Sequence, residues 1–339
     1  MRPTIKDVAK RVGVSVTTVS MVLNDPNCSI SEPTRVSVIR AVQELGYRPN
    51  RLAVSLVTKK TNTIGLIFST DINSFQTAFL NHIGAAASEH GYSIIFGAAN
   101  DNAERTVHYL NDFSDRGVDG IILTQSSFRD KKDTAVCLKA IADLRVPIVL
   151  TDRVPDDCSE DMIKINDFLG GFIAVKHLLD LGHRKIGLVT GPMHITNCVK
   201  RLEGCVEAFK NAGVRHYRSR VYEGKFHIDC GINALPYLLN KGVTAIFAFN
   251  DLIAYGIYKA SRANDINIPD DLSVVGFDDL MFSDVIYPPL TTMEFPLKEM
   301  AAATISRLIQ RIGGAESDPP CIMIFDPKLK IKSSTRSIG

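Results

Sequence analysis

The sequence predicts a small all-α head joined by a short linker to a two-lobed α/β body built on parallel sheets. Three observations predict it. Residues 1–48 carry three short apolar patterns at helical spacing, separated by glycine or polar breaks. From residue 61 onward, short continuous apolar runs alternate with amphipathic stretches, as parallel strands covered by helices on both faces require. Those runs fall into two series that echo one another: "NTIGLIFS" against "RKIGLVTG", and "GVDGIILT" against "GVTAIFAF".

The totals bound the reading. A chain of 339 residues suits two or three domains, and 45% hydrophobic content supports a sizeable core. No run approaches the roughly 18 apolar residues of a membrane span, and the opening "MRPTIKDVAKRVG" lacks the apolar core of a secretory signal. The expected location is therefore cytoplasmic. Cys28, Cys137, Cys158, Cys198, Cys205, Cys230 and Cys321 form no C-x-x-C pair and read as reduced packing thiols. The net charge of +2 is uneven: ten Lys/Arg face four Asp/Glu in residues 1–60, and 29 face 33 in the remainder. A basic head on a faintly acidic body suggests that the head meets a polyanion.

In the head, the first helix covers Ile5–Arg11, with Val8, Ala9 and Val12 on one stripe and Lys6, Lys10 and Arg11 away from it. Gly13 breaks the pattern as a turn residue. Ser15 is placed to cap the second helix. There Val19, Val22 and Leu23 point inward, while Val16, Thr17, Ser20 and Met21 remain outward. A third helix starts near Ser31, carries Pro33 in its first turn and ends at Gly46. The first two helices around a glycine turn make a helix-turn-helix unit. The outward face of the second helix has hydroxyls and methyls but no titratable group, which suits base edges and thymine methyls better than catalysis. On spacing alone it is either a groove reader or a plain surface helix with chance hydroxyls.

"TIKDVAKRVGVSVTTVSMVLND" and "ISEPTRVSVIRAVQELGYRPNRLAVSL" together resemble the head of the lactose-repressor (LacI/GalR) family of bacterial transcription regulators, nearly unbroken from Thr4 to Leu56. The resemblance implies that Val16, Thr17 and Met21 read bases, with Met21 standing where the family more often has Arg or another polar group. The expected DNA contacts are Thr4, Ser15, Val16, Thr17, Thr18, Ser20, Met21 and Asn24 in the head, and Asn50, Arg51, Ala53 and Leu56 in the linker. The linker, residues 49–60, repeats Leu52, Ala53 and Leu56 at helical spacing but is too short to persist as an isolated helix. It is expected to order only with a partner copy and DNA. By itself Leu56 reads as linker packing; the resemblance makes it the wedge of a hinge helix in the minor groove.

In the body, residues 61–339, strands are expected at 63–69, 93–99, 120–124 and 147–151, then at 185–191, 245–250 and 273–278. Ligands sit off the carboxyl ends of parallel strands. Asp152-Arg153, Asn250-Asp251 and Asp278-Asp279 follow such ends and mark a cleft between the lobes. The anchors "GVDGIIL", "LGHRKIGLVTGP", "RLEG", "FNDLIAYGIYKA", "IPDDLSVVGFDD" and "PPLTT" extend the family resemblance over nearly the whole chain. It implies the fold of periplasmic sugar-binding proteins, with crossings between lobes expected near Asp161, Thr292 and Cys321. The first lobe is then 61–161 plus 293–320, and the second 162–292 plus 321–339. The implied effector contacts are Arg201 for ligand oxygens, Asn197 one turn earlier, Phe226 as a stacking ring, and Asn250 and Asp278 as hydrogen-bonding positions. Phe75 is the first-lobe aromatic, although Ser74-Phe75-Gln76 stands where the family has Pro-Phe-Phe, and Phe295 occupies an often polar position. Other readings are an Arg201–Asp278 salt bridge and a core role for Phe226. Asp279, Asp251 and Asn166 read as structural caps.

"PLKEMAAATISRLIQRI" reads as an amphipathic helix whose stripe faces the core, other first-lobe helices as the dimer face, and "CIMIFDPKLKIKSSTRSIG" as final strands. Lys332 replaces the family's usual Arg, and no leucine heptads follow that would build a tetramer-forming tail. G-x-G-x-x-G after a strand, P-loop, G-x-S-x-G and H-E-x-x-H motifs are missing, and the eight histidines show no metal spacing. Neither an enzyme nor a cofactor is expected. A solute-binding protein of a transporter fits the body but not the basic head. The expectation is a ligand-responsive repressor: a homodimer on a pseudo-palindromic DNA operator, controlled by a sugar or sugar derivative, with a purine or nucleoside as the second choice.

Overall fold

The computed structural model describes residues 3–24, 28–48, 55, 58, 60–68, 74–124, 131–153, 158–215, 217–314 and 318–338. Two compact units divide the chain, residues 1–61 and 62–339.

The first unit holds α1 (Ile5–Val12), α2 (Val16–Asn24) and α3 (Glu32–Leu45). Thr4 starts α1: its backbone N–H and its hydroxyl both donate to the Asp7 carboxylate at 2.8 Å. Those bonds hold the Asp7 carboxyl below its usual range. Gly13 ends the helix with φ 76°, a left-handed conformation that a β-branched residue there would resist, and donates to the Ala9 carbonyl. As expected, Ser15 caps α2, its Oγ accepting the Thr18 N–H at 3.0 Å. Val8, Ala9, Val19, Val22, Cys28, Val38 and Ala41 form one buried core between the three helices. Val, Thr and Ser are mediocre helix formers, so this packing holds α2.

The second unit opens with β1 (Thr63–Phe68), α4 (Ser74–Glu89), β2 (Ser93–Ala98), α5 (Ala103–Asp115), β3 (Gly120–Thr124), α6 (Lys131–Ala142), β4 (Ile148–Thr151) and β5 (Asp161–Ile165). It continues with α7 (Asp167–Asp180), β6 (Ile186–Thr190), α8 (Thr196–Asn211), β7 (Val221–Glu223), α9 (Ile228–Leu239), β8 (Ala245–Ala248), α10 (Asp251–Ala263) and β9 (Ser273–Val275). β10 (Thr292–Glu294), α11 (Leu297–Ile312), β11 (Ile322–Phe325) and β12 (Lys328–Lys330) complete it. The apolar runs became strands, and Asn102, Asn166 and Asn250 cap the helices that follow by accepting the N–H three residues on. Among the described residues no helix is long and apolar enough to cross a membrane.

The strands pair into a six-stranded parallel sheet, order β11-β5-β4-β3-β1-β2, and a four-stranded parallel sheet, order β7-β6-β8-β9. These are the two lobes. The expected boundaries at Asp161 and Cys321 need correction. β5 pairs with β4 and β11 pairs with β5, so 162–165 and 321–325 belong to the first lobe. The reason is local. Asp161 is buried and fixes this edge by an ion pair with Arg307 and by accepting from Arg311 and the Cys321 N–H. The crossings follow each strand instead of preceding it, and β10 and β12 form an antiparallel pair between the lobes. The stripe of α11 is buried as expected, with Met300, Ala301, Ile305 and Leu308 in the core.

In the second lobe α7 and α8 cross where Gly171 and Gly204 lie. A Cβ at Gly171 would sit 2.0 Å from the Arg201 carbonyl oxygen, and one at Gly204 1.9 Å from that of Phe168. The chain end is stitched to the same lobe. The Val274 N–H donates to the Ser334 carbonyl, the Ser334 hydroxyl to the Val274 carbonyl, and the Ile338 N–H to Leu181. Buried His183 bonds Thr244, Ser273 and the Arg336 carbonyl, joining β8, β9 and the tail.

Candidate functional site

The carboxyl ends of the two sheets face one cleft. β4 delivers Asp152 and Arg153; β8 leads to Phe249 and Asn250; β9 leads to Phe277 and Asp278; α8 presents Asn197 and Arg201 from its first two turns. Arg201, Asn197, Phe226, Asn250 and Asp278 line one cavity of about 420 Å³, its open mouth included, together with Asp152, Arg153, Ile165, Phe249 and Phe295. Every expected effector residue whose side chain is described lies here. Phe75 lies on α4, but its side chain falls outside the described residues.

Arg201 is fixed from several sides. Its Nε and Nη2 donate to Asp167 Oδ1 at 3.1 and 2.5 Å, its Nη1 donates to the Phe249 carbonyl, and its guanidinium carbon lies 3.3 Å from the Phe277 ring centroid. The salt bridge foreseen with Asp278 is therefore made with Asp167, because the α7–α8 crossing brings that residue under Arg201. These bonds use three of the five guanidinium N–H groups, leaving two for the cavity. Burial raises the Asp167 carboxyl to about 6 against the pull of Arg201.

Asp278 stands at φ 115°, and Asp152, facing it from the first lobe, at φ 68°. Strained backbone of this kind concentrates at ligand sites. Desolvation, then the neighbouring Asp251 carboxylate, pushes the Asp278 carboxyl well above its ordinary range. Asp251 is a buried hub: it accepts from the Leu280 N–H at 2.7 Å and from the Ser283 and Thr292 hydroxyls at 2.6 Å, and so holds the loop after Asp278. Asp279 accepts from Lys330 and Lys332 at 2.7 and 2.9 Å. Asp251, Asp279 and the cap Asn166 thus have structural partners, as expected. Asn250 does both jobs: its Oδ1 caps α10 while the residue lines the cavity.

Two aromatic walls complete the cleft. Phe226 packs beneath Arg153, whose guanidinium carbon is 5.2 Å from its ring centroid, and Phe295 meets Phe277 edge-on at 5.0 Å. Phe226 lines the cavity and is also packed against the core. Asn197 Nδ2 donates to Asp152 Oδ1 at 3.3 Å, a bond between the lobes. Asp152 and Arg153 were visible as polar residues after a strand, yet nothing in their spacing ranked them with the contacts. Asp167 carried no signal at all. The arrangement offers carboxylate acceptors, guanidinium and amide donors and flat apolar walls, which is what a polyhydroxylated ring or a base requires. Among the described residues no His/Cys/Asp/Glu group could hold a metal ion.

On the head, Thr4, Ser15, Val16, Thr17 and Met21 are exposed, and Thr18 and Ser20 are half-buried. Val16 and Met21 keep 39% and 38% of their surface, a large exposure for apolar side chains beside a well-filled core. The Thr18 hydroxyl is 2.8 Å from Ser15 Oγ, so these two brace the start of α2. The backbone of Asn24 ends α2; its side chain, and Asn50, Arg51, Ala53 and Leu56, lie outside the described residues.

A helix-turn-helix head carried by a two-lobed body with a polar cleft defines a regulator that joins DNA binding to ligand sensing. Comparison with known proteins agrees. Residues 4–50 match the profile of bacterial regulatory proteins of the lacI family, and residues 175–335 that of the periplasmic binding protein-like domain. The HTH-type transcriptional regulator DegA of Bacillus subtilis (strain 168) is 34% identical over 340 residues, covering 100% of both chains. The lac repressor dimer bound to operator and the anti-inducer ONPF superposes with a TM-score of 0.87 at 27% identity, covering 99% of this chain and 100% of that one. The transcriptional regulator CelR in complex with cellobiose gives 0.72 at 30% identity, covering 98% and 100%. The chain belongs to the lacI family of bacterial regulatory proteins, and it is a DNA-binding transcriptional regulator.

Proposed function

We propose that this protein is a cytoplasmic, non-enzymatic repressor. As a homodimer it binds a pseudo-palindromic operator with an affinity set by a sugar-like ligand between its lobes. The observation that carries the ligand reading is the convergence of Asn197, Arg201, Phe226, Asn250 and Asp278, far apart in sequence, on one cavity. Arg201 and Asn250 donate to ring hydroxyls, Asp278 accepts from them, Phe226 stacks on the ring, and Phe75 is the further candidate contact of the first lobe. CelR, with cellobiose bound, supports a sugar over the purine or nucleoside that the same phenyl wall would also accept.

On the head, Val16, Thr17 and Met21 meet base edges, and Thr4, Ser15, Thr18, Ser20 and Asn24 lie along the phosphates. Asn50, Arg51, Ala53 and Leu56 form the hinge. Ligand acts through its different affinity for two arrangements of the first lobes, only one of which lets paired hinges fold on DNA.

The test uses the full chain and an operator selected from a random duplex library, read by fluorescence anisotropy with and without neutral sugars and nucleosides. Binding should fall steeply with salt and change with at least one ligand; an affinity indifferent to every compound that enters the cleft refutes the proposal. Thr17→Ala should weaken operator binding about 10- to 100-fold and spare nonspecific binding; equal losses on both argue against base reading. Leu56→Ser should abolish DNA bending while both folded units persist.

A further inference from the structure

A second chamber adjoins the ligand cavity. It encloses about 620 Å³, mouth included, and shares Asp152, Ile165 and Asn197 with the inner one. Between them stands the Asp152–Asn197 hydrogen bond, at 3.3 Å a long and easily broken partition. The helix α8 serves both sides: Asn197 and Arg201 line the inner chamber, while Thr196 and Lys200, on the neighbouring stripe, line the outer one. β5 contributes Lys164 to the outer chamber, opposite the apolar walls of Phe168 and Ile324, which stay 41% and 59% exposed.

The charges are unequal. Arg153, Arg201, Lys164 and Lys200 line the two chambers against the carboxyls of Asp152, Asp167 and Asp278. Arg201 and Asp167 neutralise each other and Asp278 is driven toward its neutral form, so among the lining groups Arg153, Lys164 and Lys200 stand against Asp152. Among the described residues Lys200 pairs with Glu203, at 3.1 Å on an exposed helix face, a pair that a better acceptor displaces at little cost. Both α7 and α8 also begin at the chamber wall, which adds the same sign of potential.

Resting on the sugar reading above, we infer that the effector is an anionic sugar: its ring occupies the inner chamber and its carboxylate or phosphate passes the Asp152–Asn197 partition to Lys164 and Lys200.

The test compares, by calorimetric titration of the full chain, glucose with glucuronate and glucose 6-phosphate, galactose with galacturonate and galactose 6-phosphate, and cellobiose with cellobionate. The expected result is at least one anionic sugar binding about tenfold or more tightly than its neutral counterpart. The carboxylate and phosphate arms identify which anion is read. Lys164→Gln/Lys200→Gln should erase that preference and leave both neutral-sugar affinity and ligand-free operator binding unchanged, the latter showing that the variant is folded. Equal affinity for neutral and anionic members, or a preference that survives in the double variant, overturns the inference and spares the sugar reading. Binding of no sugar, neutral or anionic, overturns both.

Discussion

Replacing Asp167 by Ala leaves a guanidinium stranded. Arg201 and Asp167 expose 7% and 5% of their side chains, so water cannot take over for the lost carboxylate. After the substitution Nε and Nη2 lose their acceptor, and the Phe249 carbonyl and the Phe277 ring remain against the charge. Breaking a buried pair from one side costs about 3–5 kcal/mol. For a body of this size that lowers the unfolding temperature by roughly 10 °C. The opposite substitution, Arg201→Met, should cost less. Burial already raises the Asp167 carboxyl to about 6 with Arg201 beside it. Without Arg201 it rises further, and the group neutralises itself by binding a proton. The loss in Arg201→Met should therefore be smaller at pH about 5.5 than at pH about 8, since a native carboxyl with a raised pKa favours the folded state only where it is protonated. The double variant removes both charges of this pair and should recover most of what Asp167→Ala loses. Urea unfolding of all four proteins at the two pH values measures this. A cost below about 1 kcal/mol for Asp167→Ala, or a double variant equal to the sum of the singles, would show that the pair is not a buried, mutually dependent unit.

Three further outcomes are expected. Gly204→Ala puts a Cβ 1.9 Å from a backbone oxygen, so α7 and α8 must separate; a stability loss of about 1–3 kcal/mol with weaker ligand binding should appear in melting and titration, and an unchanged protein would contradict the close crossing. Burial raises Asp251 from an ordinary 3.8 to about 6, so its contribution to stability is full below about pH 4 and fades as pH rises through 6. Asp251→Asn removes that dependence, so the stability gap to wild type should narrow from pH about 4 to 7, by up to about 3 kcal/mol; a widening gap counts against the assignment. Phe226→Ala should reduce affinity for the ligand with little change in operator binding by the ligand-free protein, measured by titration and anisotropy.

Local chemistry was readable from the sequence where it was short in range. Ser15 and Asn166 announce their caps because a cap needs only a side chain and an N–H three residues on, whereas the cap made by Asn250 was not read from the sequence. The strands after Asn62 and Lys185 are readable because buried parallel strands are continuously apolar. The lobe boundaries were misplaced because "DMIKI" is interrupted by charge and "IMIF" lies in the tail, while their pairing joins segments 160 residues apart. The cleft residues came from family likeness; Asn197, Arg201, Phe226, Asn250 and Asp278 line one cavity, and the side chain of Phe75 falls outside the described residues. The bond that orients Arg201 was missed because its partner is chosen by a helix crossing, set by Gly171 and Gly204, that no spacing along the chain reports.

The stitching of the last residues to β9 has a practical side. Ser334 and Arg336 bond β9 along what is otherwise the raw margin of the smaller sheet. A version shortened to end before Lys332 would uncover that margin, and an uncovered strand recruits strands from other molecules. Purification tags at this end therefore belong beyond Ile338, behind a spacer, whereas trimming the last eight residues should make the protein prone to aggregate.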